Sequence, residues 1–399
     1  MRARLLILLG GVLASSMGRA GPLSTEPLLG VTSDYSSNPY LLSRGEYAVS
    51  DVAVLFSAPT YYDLDAVHYS LLPSIRYSDG GSYASLNSNF YHLRGSAAFS
   101  SDLNALTLNS AIGRDSSFYQ NGLSSNGVGV RTDATSAGFD WQHSITERAS
   151  LAVDAGWSRV LYSQTASSTG LVDYRYLSLS SSASYAVSEL NKIQISAGVG
   201  KYKALDGITE SKSYSLQLGF ERRLTEIWTL SLGAGYARSN NSQEIFSGPY
   251  FIGTTEYGPF YLETVKSRQD GPVYSAGLIR RGETLTLKAS ASRAYIPSGF
   301  EFLSRQDIAV MDLGYISSER WNFGAEVKYQ NNASPLSNDA LSTARYFSGQ
   351  ISANWNWTPN WIISLQTTWV QLKYAVPPVS AQSTGVSLEI SRQFLRIDL

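Results

Sequence analysis

The chain has 399 residues, 31 Lys+Arg against 32 Asp+Glu, and a net charge of -1; only 16% of residues are charged, below the ~25% usual for soluble domains. That balance excludes the basic face a nucleic-acid partner requires, and the absence of cysteine excludes disulfides, a thiolate nucleophile and Cys-ligated metal. Mean hydropathy is -0.13, and beyond the N-terminus no apolar run approaches the ~18 residues a spanning helix needs.

In chain order, Arg2 and Arg4 precede the apolar run Leu5 to Leu13, and Gly18-Arg19-Ala20 ends in small residues. This is the pattern of a secretory signal cleaved after residue 20. No separate domain is visible after it, so the expected organisation is a signal peptide over 1–20 and one domain over 21–399.

From there a short turn followed by an alternating strand recurs. Ser101-Asp102-Leu103-Asn104 precedes ALTLNSAIG, Thr146-Glu147-Arg148 precedes SLAVDAGW, and Ser188-Glu189-Leu190-Asn191 precedes KIQISAGVG. Thr225-Glu226-Ile227 precedes WTLSLGAGY, Gly282-Glu283 precedes TLTLKASAS, Ser318-Glu319-Arg320 precedes WNFGAEVKY, and Thr358-Pro359-Asn360 precedes WIISLQTTW. Within each strand one parity is apolar and the other polar: Trp228, Leu230, Leu232, Ala234 and Tyr236 against Thr229, Ser231, Gly233 and Gly235. The alternation persists for about nine to thirteen residues, long enough to cross a bilayer at a tilt, whereas soluble strands average ~5–6. Aromatics bracket the apolar stripes as interfacial girdles do.

The tight turns alternate with longer connections at 36–46, 78–86, 118–130, 163–171, 203–210, 331–343 and 375–383, and a very long one at 241–270. Short turns on one side and long loops on the other is the outer-membrane pattern. The expected fold is therefore all-β: a transmembrane antiparallel up-and-down barrel of about eighteen strands, both termini at the periplasmic end, in outer-membrane lipid. Pro73 interrupts the third strand, where a bulge is expected. A propeller would share the repeat length, but its strands are shorter.

The segment Val31-Thr-Ser-Asp-Tyr-Ser-Ser-Asn-Pro-Tyr-Leu41, together with the hairpin Phe220-Glu-Arg-Arg-Leu-Thr-Glu-Ile-Trp-Thr-Leu-Ser-Leu-Gly-Ala-Gly-Tyr236, resembles a family of bacterial outer-membrane barrels often encoded in exopolysaccharide biosynthesis and export clusters. The resemblance implies a conduit for exported polysaccharide, with polysaccharide and periplasmic export proteins as partners. It implies no catalytic residues and no cofactor. The alternative, from the barrel alone, is a general or substrate-specific uptake porin for small hydrophilic solutes. The chain departs from many barrels in ending Phe394-Leu-Arg-Ile-Asp-Leu399 rather than in an aromatic residue.

Parity selects candidate pore-lining charges: Asp140, Asp154, Glu221, Lys288, Asp312, Glu326 and Lys328. Asp140 and Asp154 flank the 145–148 turn. A register placing them opposite each other is allowed; a one-pair slip or a basic neighbour is the blander alternative, since facing like charges repel. Turn lengths likewise allow Lys288 to face Asp312 and Asp312 to face Glu326. His68 and Ser70 share a lumen face, but the sequence offers no obvious third group to orient the imidazole, so no catalytic set is assigned. The three histidines have no ligand spacing, and no metal is expected. The stretch 241–270 holds Phe246, Tyr250, Phe251, Tyr257, Phe260 and Tyr261. It reads as a loop that packs on itself externally or folds over the pore as a gate.

Overall fold

The computed structural model describes residues 23–398 apart from 40, 42, 79–88, 117–130, 163–170, 248–249, 253–254, 258–260, 300–302, 334–343 and 375–378. The expected signal segment lies outside the described residues.

Eighteen antiparallel strands follow one another in chain order and close on themselves. They are β1 (Leu28–Ser36), β2 (Val49–Ser57), β3 (Val67–Ser78), β4 (Phe90–Ser100), β5 (Asn104–Ser116) and β6 (Arg131–Ser144). Next come β7 (Ala149–Tyr162), β8 (Tyr174–Ala186), β9 (Asn191–Ala204), β10 (Thr209–Arg223), β11 (Trp228–Ser247) and β12 (Tyr261–Arg281). The last six are β13 (Leu285–Pro297), β14 (Leu303–Ile316), β15 (Trp321–Ala333), β16 (Ala344–Thr358), β17 (Trp361–Tyr374) and β18 (Val379–Gln393). Closure is the pairing of β1 with β18, from Leu28↔Gln393 to Ser36↔Gly385. It removes the free edge that an open sheet of this size would carry.

The predicted alternation is the wall itself. Leu216, Leu218, Leu232, Val327, Ile351 and Leu388 all stand on the outer face, 43–65% exposed, while Ser, Gly and Gln dominate the inner face of the same strands. A soluble sandwich would bury that apolar set; here it faces outward around the barrel, where only lipid satisfies it. Aromatics mark both limits of the band. At the short-turn end Trp321 stacks on Trp355 at 5.7 Å and on Phe323 at 5.9 Å. At the other limit of β15 stands Tyr329, 40% exposed. Eight residues separate Trp321 from Tyr329, about 27 Å along the strand and about 21 Å along the barrel axis at ~40° tilt, close to the ~25 Å apolar band of such barrels.

The turns at the narrow end are built by their own side chains. Thr146 Oγ1 accepts from the Ala149 amide at 3.0 Å, Ser188 Oγ from Asn191 at 3.1 Å, and Thr225 Oγ1 from Trp228 at 3.1 Å. The same hydroxyl-to-amide device explains why Ser or Thr opens these turns. The connection 205–208 is the exception at the long-loop end. It is a tight turn with Gly207 at φ +83°, so it is shorter than the loop expected over 203–210.

Two expectations are corrected. No bulge forms at Pro73: the register runs straight through it, Leu72↔Arg94, Pro73↔Leu93, Ser74↔His92. The irregularity falls on the opposite strand, where Ala58 and Pro59 separate β2 from a short continuation at Thr60–Leu64 in the same register. Ala58 N–H donates to the Pro73 carbonyl at 3.3 Å, and the missing proline N–H simply leaves that ladder open at one pair. Second, 241–247 and 261–270 are strand and not loop. β11 and β12 remain paired from Trp228↔Arg280 to Ser247↔Tyr261, and Tyr250–Ile252 pairs with Thr255–Tyr257 near the tip. Above the lipid a ribbon needs only its backbone ladder, so a polar sequence such as Ser239-Asn-Asn-Ser-Gln243 extends the hairpin without an apolar face.

Candidate pore and its constriction

The inner wall is divided by height. The candidate charges line it from the short turns to just past mid-wall, in registers that the turn lengths allow. Asp140 faces Asp154, Lys288 faces Asp312, and Asp312 faces Glu326. Glu221 faces Lys192, and Lys328 lies two residues from Glu326 on the same face of β15. The slip and the basic neighbour considered for Asp140 and Asp154 do not occur among the described residues. Instead each carboxylate accepts a neutral hydrogen bond, Asp140 from Asn109 Nδ2 at 3.0 Å and Asp154 from Ser180 Oγ at 3.0 Å. These bonds hold two like charges side by side on a wet wall, where repulsion is screened.

His68 does have an orienting group: Asp63 Oδ1 lies 2.8 Å from its Nδ1, across the short Thr60–Leu64 pairing. Ser70 is not drawn into this pair. Its hydroxyl meets Ser96 Oγ at 2.7 Å, and both members of the His68–Asp63 pair are more than half exposed. No described contact links a nucleophile to the imidazole.

Sequence reasoning missed a lumen cluster at the closure seam. Arg76 on β3 donates to Asp34 Oδ2 at 2.6 Å and Asp51 Oδ2 at 3.0 Å, with its side chain only 5% exposed. One arginine thus ties β1, β2 and β3 together just inside the seam. Their shared inner parity (Asp34↔Asp51 in register) was the available signal.

The larger finding concerns β13 and β14. β12 pairs with β13 only from Arg281↔Thr286 to Tyr274↔Arg293. Beyond that point β12 stays with β11, while β13 stays with β14 to Pro297↔Leu303. The wall splits there, and the end of the β13–β14 hairpin turns into the lumen. Leu303 and Tyr202 are both 0% exposed and share a cluster with Val160, Tyr174 and Ala204. Those residues belong to β7, β8 and β9, and at least four strands of wall separate β9 from β14, so the contact crosses the bore. Val172 N–H donates to the Gly299 carbonyl at 2.8 Å, which fastens the hairpin tip to the segment before β8. Gly299 lies so close to Tyr162 and Leu171 that a Cβ there would collide with both. Under the hairpin, the inner residues Ser211, Ser239 and Val273 of β10, β11 and β12 are 0–3% exposed. Tyr162 lies beyond the membrane band, and burial together with Tyr174 and Tyr202 pushes its hydroxyl far above the usual tyrosine range. It stays neutral at any physiological pH.

The described residues of the expected gate set lie on a different hairpin. The backbone of Phe246, Tyr250, Phe251, Tyr257 and Tyr261 belongs to the projecting β11–β12 ribbon and its tip, and Phe260 lies outside the described residues. The signal for the real constriction was present but subtle. Ile308-Ala-Val-Met311 is apolar on both parities, and Tyr162, Tyr174 and Tyr202 place aromatics on the inner parity at one height.

Fold and wall define an antiparallel transmembrane β-barrel of outer-membrane type. No family model matches the chain, and no curated protein is similar to it in sequence. Among solved structures, OccK2 (OpdF) of Pseudomonas aeruginosa is similar at 9% identity, covering 93% of this chain and 98% of that one, with a TM-score of 0.45. OpdO of Pseudomonas aeruginosa is similar at 10% identity, covering 94% and 97%, with a TM-score of 0.46. The ferric-catecholate import receptor Fiu of E. coli K12 is similar at 10% identity, covering 92% and 81%, with a TM-score of 0.43.

Proposed function

We propose that the barrel is an outer-membrane diffusion channel for small hydrophilic solutes, with the β13–β14 hairpin as its size-limiting constriction. The observation that carries this reading is the burial of Leu303 against the opposite wall. An eighteen-stranded barrel lined by Gly and Ser would otherwise leave a wide aqueous bore, and an inward hairpin narrows that bore without closing its base. The polysaccharide-conduit reading rests on the sequence resemblance alone; a polymer leaving through this mouth needs the hairpin displaced. The lumen charges, Asp140, Asp154, Glu221, Lys288, Asp312, Glu326 and Lys328, tune ion preference below the constriction.

Ala294 and Gln306 are register partners, so they can be joined through Asn-Gly, a two-residue turn that suits a hairpin. This removes residues 295–305 and the whole constriction. Proteoliposomes carrying the shortened barrel should admit larger sugars in swelling assays, and its single-channel conductance should rise. If the size limit and conductance do not change, the hairpin is not the constriction. If intact cells lacking the protein lose surface polysaccharide while solute uptake is unaffected, the conduit reading replaces this one.

A further inference from the structure

The outer wall carries a run of cations directly above the lipid band on five adjacent strands, with Glu210 set among them. On each, a basic residue stands on the outward parity next to a large exposed apolar one: Arg159 follows Trp157 on β7, Arg175 precedes Leu177 on β8, and Lys201 follows Val199 on β9. Lys212 precedes Tyr214 on β10, and Arg238 follows Tyr236 on β11. Trp157, Leu177, Val199, Tyr214 and Tyr236 are 38–53% exposed on the outer face, which sets the height of the boundary. Elsewhere on this rim acids interrupt the pattern, with Asp133 bonded to Arg114 and Asp307 to Arg293; Arg345 opposite Lys373 is a pair confined to two strands.

Pairing within the protein accounts for only part of the run. Arg159 faces Arg175 and Arg175 faces Lys203, three cations in one row across β7, β8 and β9. Neither Arg159 nor Arg175 has an acidic partner among the described residues, and Glu210, which faces Lys203 across β9 and β10, is engaged by Lys201 and Lys212. Farther along, Glu210 bridges Lys201 at 3.2 Å and Lys212 at 3.3 Å, and Asp270 holds Arg238 at 3.9 Å. Like charges directly opposite each other on neighbouring strands destabilise a sheet. A row of them held at one height calls for anions from outside.

We propose that this face binds the phosphate groups of an anionic, phosphorylated glycolipid of the leaflet surrounding the long-loop end. The acyl chains of such a lipid lie along the apolar stripe beginning at Trp157 and Leu177. That position brings its headgroup phosphates level with Arg159, Arg175 and Lys203. Free phosphate offers the charge without the anchoring, so the lipid is the occupant that uses both features.

The purified full-length barrel is titrated with lipid A in detergent and bound lipid is counted by native mass spectrometry. The variant R159Q/R175Q/K203Q should bind about a hundredfold more weakly, each cation near a lipid surface contributing roughly a factor of five. The variant R148Q/R222Q/R320Q removes equal charge from the opposite rim and should bind as the unmodified protein does. Phosphatidylcholine should not replace lipid A, and millimolar inorganic phosphate should not displace it. Heat-modifiable migration on gels confirms folding; if the triple variant fails to fold, Arg175→Gln alone should weaken binding about fivefold. Equal binding by the two triple variants, or displacement by inorganic phosphate, would overturn the assignment.

Discussion

Replacing Leu303 by alanine isolates the docking of the hairpin from every other feature of the channel. Leu303 is 0% exposed and packs with Tyr174, Tyr202 and Val160 from the opposite wall. Its removal costs the lost transfer energy and leaves a cavity, about 2–5 kcal/mol for a fully buried leucine. The lower end applies because the cluster borders a wet lumen that can relax into the space. Even about 2 kcal/mol shifts the docked-to-undocked ratio roughly thirtyfold. The barrel wall does not depend on this contact, since β14 remains paired with β15 from Ile316↔Asn322 to Arg305↔Ala333. The variant should therefore fold normally, yet show frequent excursions to a higher conductance level in planar bilayers. Leu395→Ala, at a residue 77% exposed near the C-terminus, should leave the trace unaltered. If Leu303→Ala shows the same dwell times as the unmodified channel, the packing across the bore does not control conduction.

Three further perturbations address the charged wall. Lys288→Ala leaves Asp312 without the cation opposite it and should move the reversal potential toward cation preference, with heat-modifiability nearly unchanged. D140N/D154N removes two facing carboxylates and should shift reversal the other way, by an amount that shrinks as salt is raised from 0.1 to 1 M, in line with a Debye length falling from about 10 to about 3 Å. For Glu210, at the long-loop rim, partial burial would raise the carboxyl, but hydrogen bonds and charge from Lys201 and Lys212 outweigh it and hold it below its ordinary value of 4.5. Its contribution is thus present above that value and lost as pH falls through the lower folded one. Glu210→Gln should speed amide exchange at the 205–208 turn at pH 7, and the difference should shrink as pH falls through and below 4.5.

Strand parity was legible because lipid and water impose opposite chemistry on alternate residues, and because Ser/Thr-led turns punctuate it. Registers such as Lys288↔Asp312 and Asp140↔Asp154 were allowed by turn length but not fixed by it, since a one-pair slip keeps the same turn. The β11–β12 ribbon was not legible, because above the membrane the outward face loses its apolar requirement and residues such as Asn240 and Ser242 look like loop. The seam cluster of Arg76, Asp34 and Asp51 lies on the consecutive strands β1, β2 and β3, but the connection over 37–48 is too long to fix the register of Asp34 with Asp51 from sequence. The constriction was hidden for a different reason. Parity identifies which residues face inward, but not where a hairpin leaves the wall, and that depends on β12 and β13 ceasing to pair beyond Tyr274 and Arg293.

The most direct test of the channel account is a reversible tether across the bore. The chain contains no cysteine, so L303C/Y202C offers a clean pair for a short, reducible dithiol-reactive linker. Bridging should proceed rapidly in the folded barrel, hold conductance at the low level without excursions, and reverse on reduction, whereas either single cysteine should give no effect. Failure of the linker to bridge the two positions, or bridging that leaves conductance and solute size limit as they were, would contradict a constriction formed by the β13–β14 hairpin.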